Sequence, residues 1–172
     1  MHAPSPGDED MKLEELFLDT LKDIYFAERQ ILKALPKMTK AAQEPKLKEG
    51  FTAHREETEG QVERLGEVFG ILGKRAQGKT CEAIKGIIEE CEELLEEEPE
   101  AGAVRDAGLI ACGQAVEHYE MARYGALIAW ATALGKPDVV ALLQQNLDQE
   151  KKADSLLTSV SGSVNQAAAK AA

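Results

Sequence analysis

The sequence predicts an all-α protein, and three observations support that prediction. Aromatic residues make up only 5% of the 172 residues, whereas Ala, Leu, Glu, Lys and Gln, which favour helices, are abundant. Apolar residues recur every three or four positions through most of the chain, which is the helical period. No segment shows a competing strand pattern of alternating apolar and polar residues. Together these features predict a bundle of amphipathic helices around one core.

Five helices are predicted, separated by short segments that contain glycine or proline. The first helix continues through Pro36, because its apolar period persists beyond that residue, and QEPK (43–46) ends it. Thr80 is the expected N-cap of a short third helix, and Gly135 and Pro137 mark the boundary between the last two helices. The expected ranges are 11–42, 46–72, 81–97, 101–134 and 138–160.

The short helix lies on the link between the second and third long helices, and this link is long enough to cross the end of a bundle. The predicted fold is therefore a four-helix bundle with a short extra helix in that crossover. Residues 11–160 are expected to form the bundle domain. Residues 1–10, rich in Pro, Gly and Asp, are expected to be a disordered arm, and residues 161–172 a flexible tail.

Charge and composition exclude several classes of protein. The chain carries 31 acidic and 20 basic residues, a net charge of −11, which argues against nucleic acid or an anionic membrane surface as a partner. No run of about 18 apolar residues is present, and the first residues lack the apolar stretch of a signal peptide. Cys81, Cys91 and Cys112 form no CxxC motif and suit a reducing compartment. We therefore expect a cytoplasmic protein.

Each long helix interrupts its apolar face with acidic residues near the middle. In the first helix, for example, Glu28 shares a face with Ile24 and Ile31. Burying a charged group is costly unless an opposite charge or a hydrogen bond compensates it. The polar residues predicted to point inward are Glu28, His54, Glu57, Gln61, Glu117, Glu120, Glu150 and Asp154.

Each of these acids taken singly has an ordinary explanation, whereas the whole group is best explained by a metal site. A single acid could be protonated, lie at a helix boundary or pair with a lysine, as Asp154 could with Lys151 or Lys152. Acids from four facing helices are harder to accommodate, because like charges at short range cannot all remain ionised. The inward faces carry no Lys or Arg at matching positions, so a pair of divalent metal ions is the expected counter-charge. His118 is expected to be a packing or interface residue instead of a ligand.

Four segments resemble the YciF/YciE family of bacterial stress-induced ferritin-like proteins. They are LKDIYFAERQILKALPKM, HREETEGQVERLGEVFGILG, AVEHYEMARYGAL and LDQEKKAD. The resemblance extends over residues 11–160, and EHYE is among its most specific parts. It implies a ferritin-like four-helix bundle that pairs as a homodimer, with an expected metal site and no established reaction.

The resemblance also implies roles for individual acids. Glu28 matches the single ligand of the first bundle helix, and Glu57 and Glu150 match the glutamates that bridge two ions in the second and fourth. Glu117 and Glu120 resemble the paired acids of the third bundle helix. These five residues form the core of the expected ligand set.

The sequence departs from the usual superfamily motif at the histidine positions. A histidine normally follows each bridging glutamate by three residues, whereas Gly60 and Ala153 stand there in this chain. His54 precedes its glutamate by three residues instead, and Asp154 follows the other glutamate by four. With His54 and Asp154 included, the site is expected to hold mainly oxygen ligands, which suits two Fe or Mn ions, Fe above all, better than Cu or Zn.

The leading functional prediction is therefore a stress-response protein that binds two divalent ions in the bundle core and either oxidises Fe(II) with O₂ or peroxide or detoxifies peroxide. The alternative is a metal-free homodimer that acts as a structural or interaction module. A metal-free acid–base enzyme is a third option, although no loop motif indicates a substrate pocket. Metal content separates the first option from the other two.

Overall fold

The computed structural model describes residues 11–171, which form five helices and their connections. The helices are α1 (Leu13–Ala41), α2 (Pro45–Ile71), α3 (Glu82–Glu97), α4 (Ala103–Ala133) and α5 (Pro137–Lys170). The four long helices make the bundle, and α3 lies in the crossover between the second and third of them, as predicted. No residue from 11 to 171 lies in a β-strand. The predicted N-terminal arm, residues 1–10, lies outside the described residues.

Proline and glycine set several helix boundaries as the sequence indicates. Pro45 and Pro137 occupy the first turns of α2 and α5, where the missing N–H has no intrahelical partner to lose. Gly73 and Gly135 follow α2 and α4 with φ angles of 65° and 67°, the left-handed region that ends many helices and that glycine adopts without strain. Pro36 stays inside α1, as predicted.

Two helix ends differ from the prediction. Cys81, and not Thr80, is the N-cap of α3, and its Sγ accepts a hydrogen bond from the backbone N–H of Ile84 at 3.4 Å. Helix α5 continues to Lys170, so residues 161–170 are helical instead of frayed. Val160 and Val164 are buried there, because they prolong the inward row of α5 at a spacing of four residues.

The bundle helices contact each other in the order α1, α2, α5, α4 around a ring, and α3 packs against α1 and α4 on one side of it. Neighbouring helices are antiparallel: in α2 and α5, for example, Gly50 lies against Leu156 and Glu57 bonds to Lys152. The core is mainly apolar, and a group of buried ionisable side chains interrupts it near the middle of the bundle. Within residues 11–171, no helix has both the length and the apolar character that crossing a membrane requires.

Asp106, in the first turn of α4, fixes the start of α2. It is 3% exposed, and its two carboxylate oxygens accept hydrogen bonds from the backbone N–H groups of Gln43 at 2.8 Å and Glu44 at 2.7 Å. Arg105 donates a further bond to the backbone carbonyl of Ala41 at 2.6 Å. These bonds hold the α1–α2 turn against α4, and so they set the level at which the polar middles of the helices meet.

We expect Asp106→Asn to lower the free energy of unfolding by about 1–2 kcal/mol, because one neutral amide oxygen cannot replace two charged acceptors. Urea unfolding followed by circular dichroism measures the change. Asp138→Asn is the matched control, since Asp138 is exposed in the first turn of α5, and its effect should be about 0.5 kcal/mol or less. Equal effects of the two substitutions would contradict the role of Asp106.

Candidate metal centre

Five ionisable side chains meet in the middle of the bundle. One comes from each of α1, α2 and α5, and two come from adjacent turns of α4. All five are at most 5% exposed. They are Glu28, His54, Glu117, Glu120 and Glu150.

The spacing of these side chains fits a bound cation. One ligand atom from each of His54, Glu117, Glu120 and Glu150 lies within 4.8 Å of the others. The Nε2 atom of His54 is 3.2 Å from Glu117 Oε1 and 3.8 Å from Glu150 Oε2. Ligands about 2.1 Å from a common ion are separated by about 3–4 Å, so the group needs little contraction to hold one. Glu28 lies beside Glu120, close enough for each carboxyl to shift the pKa of the other.

The group lacks the hydrogen bonds that normally accompany buried polar atoms. Both ring nitrogens of His54, both carboxylate oxygens of Glu120 and of Glu150, and one oxygen each of Glu28 and Glu117 have no hydrogen-bonding partner among the described residues. No Lys or Arg within residues 11–171 forms an ion pair with these four glutamates, and His54 is the only basic neighbour recorded there. Buried polar atoms without partners are expensive, so this concentration of them indicates a ligand.

Burial also changes the acidity of the group. Burial, with the negative charge of Glu150, raises the pKa of Glu28 to about 8, and burial raises the pKa of Glu117 to about 7. The pKa values of Glu120 and Glu150 are raised well above the ordinary value for the same reason. Burial alone would lower the pKa of His54, but the neighbouring carboxylates raise it above its ordinary value. Without a metal ion, protons are the available source of neutralisation.

A hydrogen-bonded network positions Glu28. The hydroxyl of Tyr124 donates to Glu28 Oε1 and accepts from Asn146 Nδ2 at 3.0 Å. Asn146 Nδ2 also lies 3.3 Å from the backbone carbonyl of Gln61, and Arg64 Nε donates to Asn146 Oδ1 at 2.5 Å. Sequence reasoning missed Asn146, although it lies one turn before Glu150 on the inward face of α5.

The structure does not place Glu57 among the inward acids. Its side chain is 21% exposed and accepts a hydrogen bond from Lys152 Nζ at 3.1 Å. Its Oε2 is 3.9 Å from His54 Nδ1, too far for a direct hydrogen bond. The prediction that Glu57 points inward is wrong here, because the inward row of α2 passes from His54 to Thr58, which is fully buried.

Asp154 also points away from the centre. Its side chain is 21% exposed, and its Oδ1 is 3.2 Å from His118 Nε2 and 3.5 Å from Gln114 Nε2. Ala153 takes the inward position on that turn of α5. The pairing of Asp154 with Lys151 or Lys152 is not observed. His118 is 66% exposed, lies outside the buried group and contacts Asp154, so of its two predicted roles it does not pack in the core of this chain.

A small apolar cavity leads towards the centre from the side covered by α3. Its volume is about 30 Å³, room for one or two water-sized molecules, and it ends at His54 and Glu117. Lys37 and Glu92 line its other end, where they form an ion pair at 3.0 Å that is half exposed. The rest of its wall is apolar and includes Ile31, Leu35, Phe51, Ile88, Cys91, Leu95 and Val116.

The helix order, the crossover helix and the buried acids define a ferritin-like four-helix bundle. Residues 12–170 match the family described as a domain of unknown function, DUF892. The chain is also 42% identical to Protein YciF of Escherichia coli (strain K12) over 147 residues, 85% of this chain and 88% of that protein. The chain therefore belongs to the DUF892 family of YciF-like proteins, which confirms the resemblance found in the sequence.

Solved structures agree with this assignment. YcfI of Rhodopseudomonas palustris, proposed to be a structural protein, has a TM-score of 0.86 and 48% identity, covering 90% of this chain and 98% of that one. The E. coli stress protein YciF has a TM-score of 0.86 and 39% identity, covering 91% and 99%. A Xanthomonas campestris protein shares the fold, with a TM-score of 0.72 and 20% identity over 92% and 97% of the two chains.

The acidity of the centre predicts how stability depends on pH in the metal-free protein. A carboxyl with a raised pKa keeps its proton in the folded chain at a pH where the unfolded chain has released it. Its contribution to stability is complete below the unfolded value of 4.5 and is lost as pH rises through about 7 and 8 for Glu117 and Glu28. We expect the free energy of unfolding to fall by on the order of 6 kcal/mol between pH 5 and pH 9.

Urea unfolding of chelator-treated protein across this pH range measures the loss. Glu120→Gln should raise the stability at high pH by about 1–2 kcal/mol, because it removes one buried charge while keeping the volume. Glu59→Gln, on the exposed face of α2, is the control and should leave the profile unchanged. A wild-type profile that is flat, or that rises with pH, would contradict the assigned acidity.

Proposed function

We propose that the centre binds two divalent metal ions, Fe or Mn, and that the Fe(II) form is oxidised by O₂ or peroxide. One observation carries the proposal: four glutamates and a histidine from four helices are buried together with no Lys or Arg beside them. Divalent ions would neutralise these acids and satisfy their unpartnered oxygens at once. Hard oxygen ligands with one imidazole favour Fe or Mn over Cu or Zn.

The positions of the side chains suggest how two ions would be shared. His54 and Glu117 would hold one ion and Glu28 and Glu120 the other. Glu150 would be shared between them, because one of its oxygens lies within 4.8 Å of ligand atoms of His54, Glu117 and Glu120. Glu57 was expected to be the second bridging ligand. We propose that it acts instead through His54, by placing a negative charge 3.9 Å from the Nδ1 atom of the imidazole.

Several residues of the chain would support the reaction without binding metal. Bound Fe(II) would supply the two electrons that, with two protons, reduce peroxide to water. The cavity under α3 leads a small molecule to His54 and Glu117 while its apolar wall keeps bulk water away. Tyr124 and Asn146 hold Glu28 in place. The description of the E. coli relative as a stress protein agrees with a reaction that consumes peroxide. We propose further that this protein is cytoplasmic and forms a homodimer.

Metal binding tests the proposal directly. Protein dialysed with Mn(II) or, without oxygen, with Fe(II) should retain about two ions per chain by elemental analysis. Glu117→Gln, Glu150→Gln and His54→Ala should each weaken binding by more than about 100-fold, because each removes a ligand from a site that has few to spare. Glu57→Gln should weaken metal binding by only about 10-fold, because Glu57 would contribute through His54 and would not itself bind the ion.

Asp154→Asn and Glu59→Gln are the matched controls, since both keep the size of an acid outside the buried centre. Both should bind as the wild type does. Folded wild-type protein that retains neither ion would overturn the proposal. Oxygen or peroxide consumption by the Fe(II)-loaded wild type at the rate of free Fe(II) would retain metal binding and remove the redox reaction.

A second candidate function is a metal-free structural module. The description of the R. palustris protein as structural favours it, and so does the raised pKa of each buried glutamate, since protonated carboxyls can donate hydrogen bonds to one another. This candidate predicts that Glu117→Gln and Glu150→Gln leave every property of the protein intact except its pH dependence. Analytical ultracentrifugation of the wild type would show the homodimer that it requires.

A further inference from the structure

Two cysteines face each other across the contact between α3 and α4. Two other contacts between α3 and α4 bracket this pair and fix the antiparallel register. Towards the end of α3, Leu94 packs so closely on Gly108 that a Cβ there would lie 2.5 Å from it. At the start of α3, Cys81 Sγ is 2.9 Å from the hydroxyl of Tyr119.

Between these contacts the register brings Cys91 of α3 opposite Cys112 of α4, where each thiol is the strongest influence on the acidity of the other. In a pair of antiparallel helices, the residue numbers increase along one helix while those of the facing residues decrease along the other. Cys91 lies three residues before Leu94, and Cys112 lies four residues after Gly108, one helical turn in each case. The register of the two helices, set by contacts of other residues, therefore brings the two thiols together.

The two thiols differ in exposure and in acidity. Cys91 is 6% exposed, whereas Cys112 is half-buried. The neighbouring Cys91 thiol lowers the pKa of Cys112 despite the opposing effects of burial and of Glu90, and the pKa of Cys91 is raised. The thiolate is the reactive form of cysteine. Cys112 is thus the thiol that an oxidant reaches first, with Cys91 held beside it.

We propose that Cys91 and Cys112 form a reversible disulfide when the protein meets peroxide. The Cys112 thiolate attacks one peroxide oxygen, the O–O bond breaks, and Cys112 becomes a sulfenic acid with release of water. The Cys91 sulfur then attacks the Cys112 sulfur, the S–O bond breaks, and a second water leaves. Peroxide is reduced by two electrons, two thiols are oxidised to one disulfide, and a cellular dithiol reverses the change.

The bond would lock α3 onto α4 at a functional position. Cys91 lies in the wall of the apolar cavity that ends at His54 and Glu117. Helix α3 reaches the bundle through α1 and α4, so a cross-link to α4 would restrict its movement over that cavity. The cysteine chemistry itself needs no metal, so it stands or falls separately from the proposed metal centre.

The third cysteine supplies an internal control. Cys81 is 1% exposed, and its sulfur contacts the hydroxyl of Tyr119 and the backbone N–H of Ile84. It lies about three helical turns from Cys91 along α3. We expect it to remain a thiol under conditions that oxidise the other two.

Mass spectrometry and thiol titration test the proposal on the full chain. Reduced, chelator-treated protein is exposed to equimolar hydrogen peroxide, then denatured and titrated. Free thiols should fall from three to one, with the mass lower by two hydrogens and a Cys91–Cys112 peptide in the digest. Cys81→Ser should leave the disulfide unchanged. Cys91→Ser should stop the reaction at a sulfenic acid on Cys112, trapped by dimedone.

Three results would overturn the proposal. They are oxidation of Cys112 beyond sulfenic acid in wild-type protein with no cross-link, a disulfide between chains on a non-reducing gel, and loss of Cys81 at the same rate as the other two. Each substituted protein is checked by circular dichroism. Cys112→Ser gives a second test of the order of reaction. In that protein Cys91 should react with peroxide far more slowly than Cys112 does in the Cys91→Ser protein.

Discussion

Four carboxyl groups lie in a space that is almost closed to water, and the free energy of the fold depends on how their charge is neutralised. Protons can neutralise them, because burial raises the pKa values of Glu28 and Glu117 so that these carboxyls keep their protons at higher pH. Divalent ions would neutralise the ionised carboxylates at neutral pH. The same burial that would strengthen a metal–carboxylate bond destabilises the bundle when the charges are bare. A purely structural protein would gain by replacing these residues with apolar ones, so their presence points to function.

The bundle accommodates this centre by confining it to one layer. The acids come from the middles of α1, α4 and α5, so the apolar turns above and below remain available for packing. Within the layer, burial and the charge of Glu28 raise the pKa of Tyr124 well above its ordinary value. Tyr124 therefore stays a hydrogen-bond donor whenever Glu28 is ionised. Asn146 and Arg64 extend this network to the outside of α2 and fix the position of the acid.

Helical periodicity predicts the fold and most of the centre. It fails to identify the inward-facing residue where two adjacent positions on one turn could both continue the inward row. Steps of three and four residues both continue a helical face, so the pattern could not separate Glu57 from Thr58, or Asp154 from Ala153. In both pairs the smaller residue points inward and the acid finds a partner at the surface. Residues 161–172 were expected to form a flexible tail, whereas α5 continues to Lys170 and Val164 prolongs its buried row.

Helix α3 contributes no ligand to the centre, yet its position decides how the centre meets the solvent. Its apolar face closes the cavity over His54 and Glu117, and its acidic face is solvated. The ion pair of Lys37 and Glu92 at the cavity mouth is half exposed, and such pairs contribute about 1 kcal/mol or less. The apolar contacts of α3, with Cys91 among them, must therefore hold the cavity closed. A change at the α3–α4 contact would alter access to the centre while leaving its buried side chains in place.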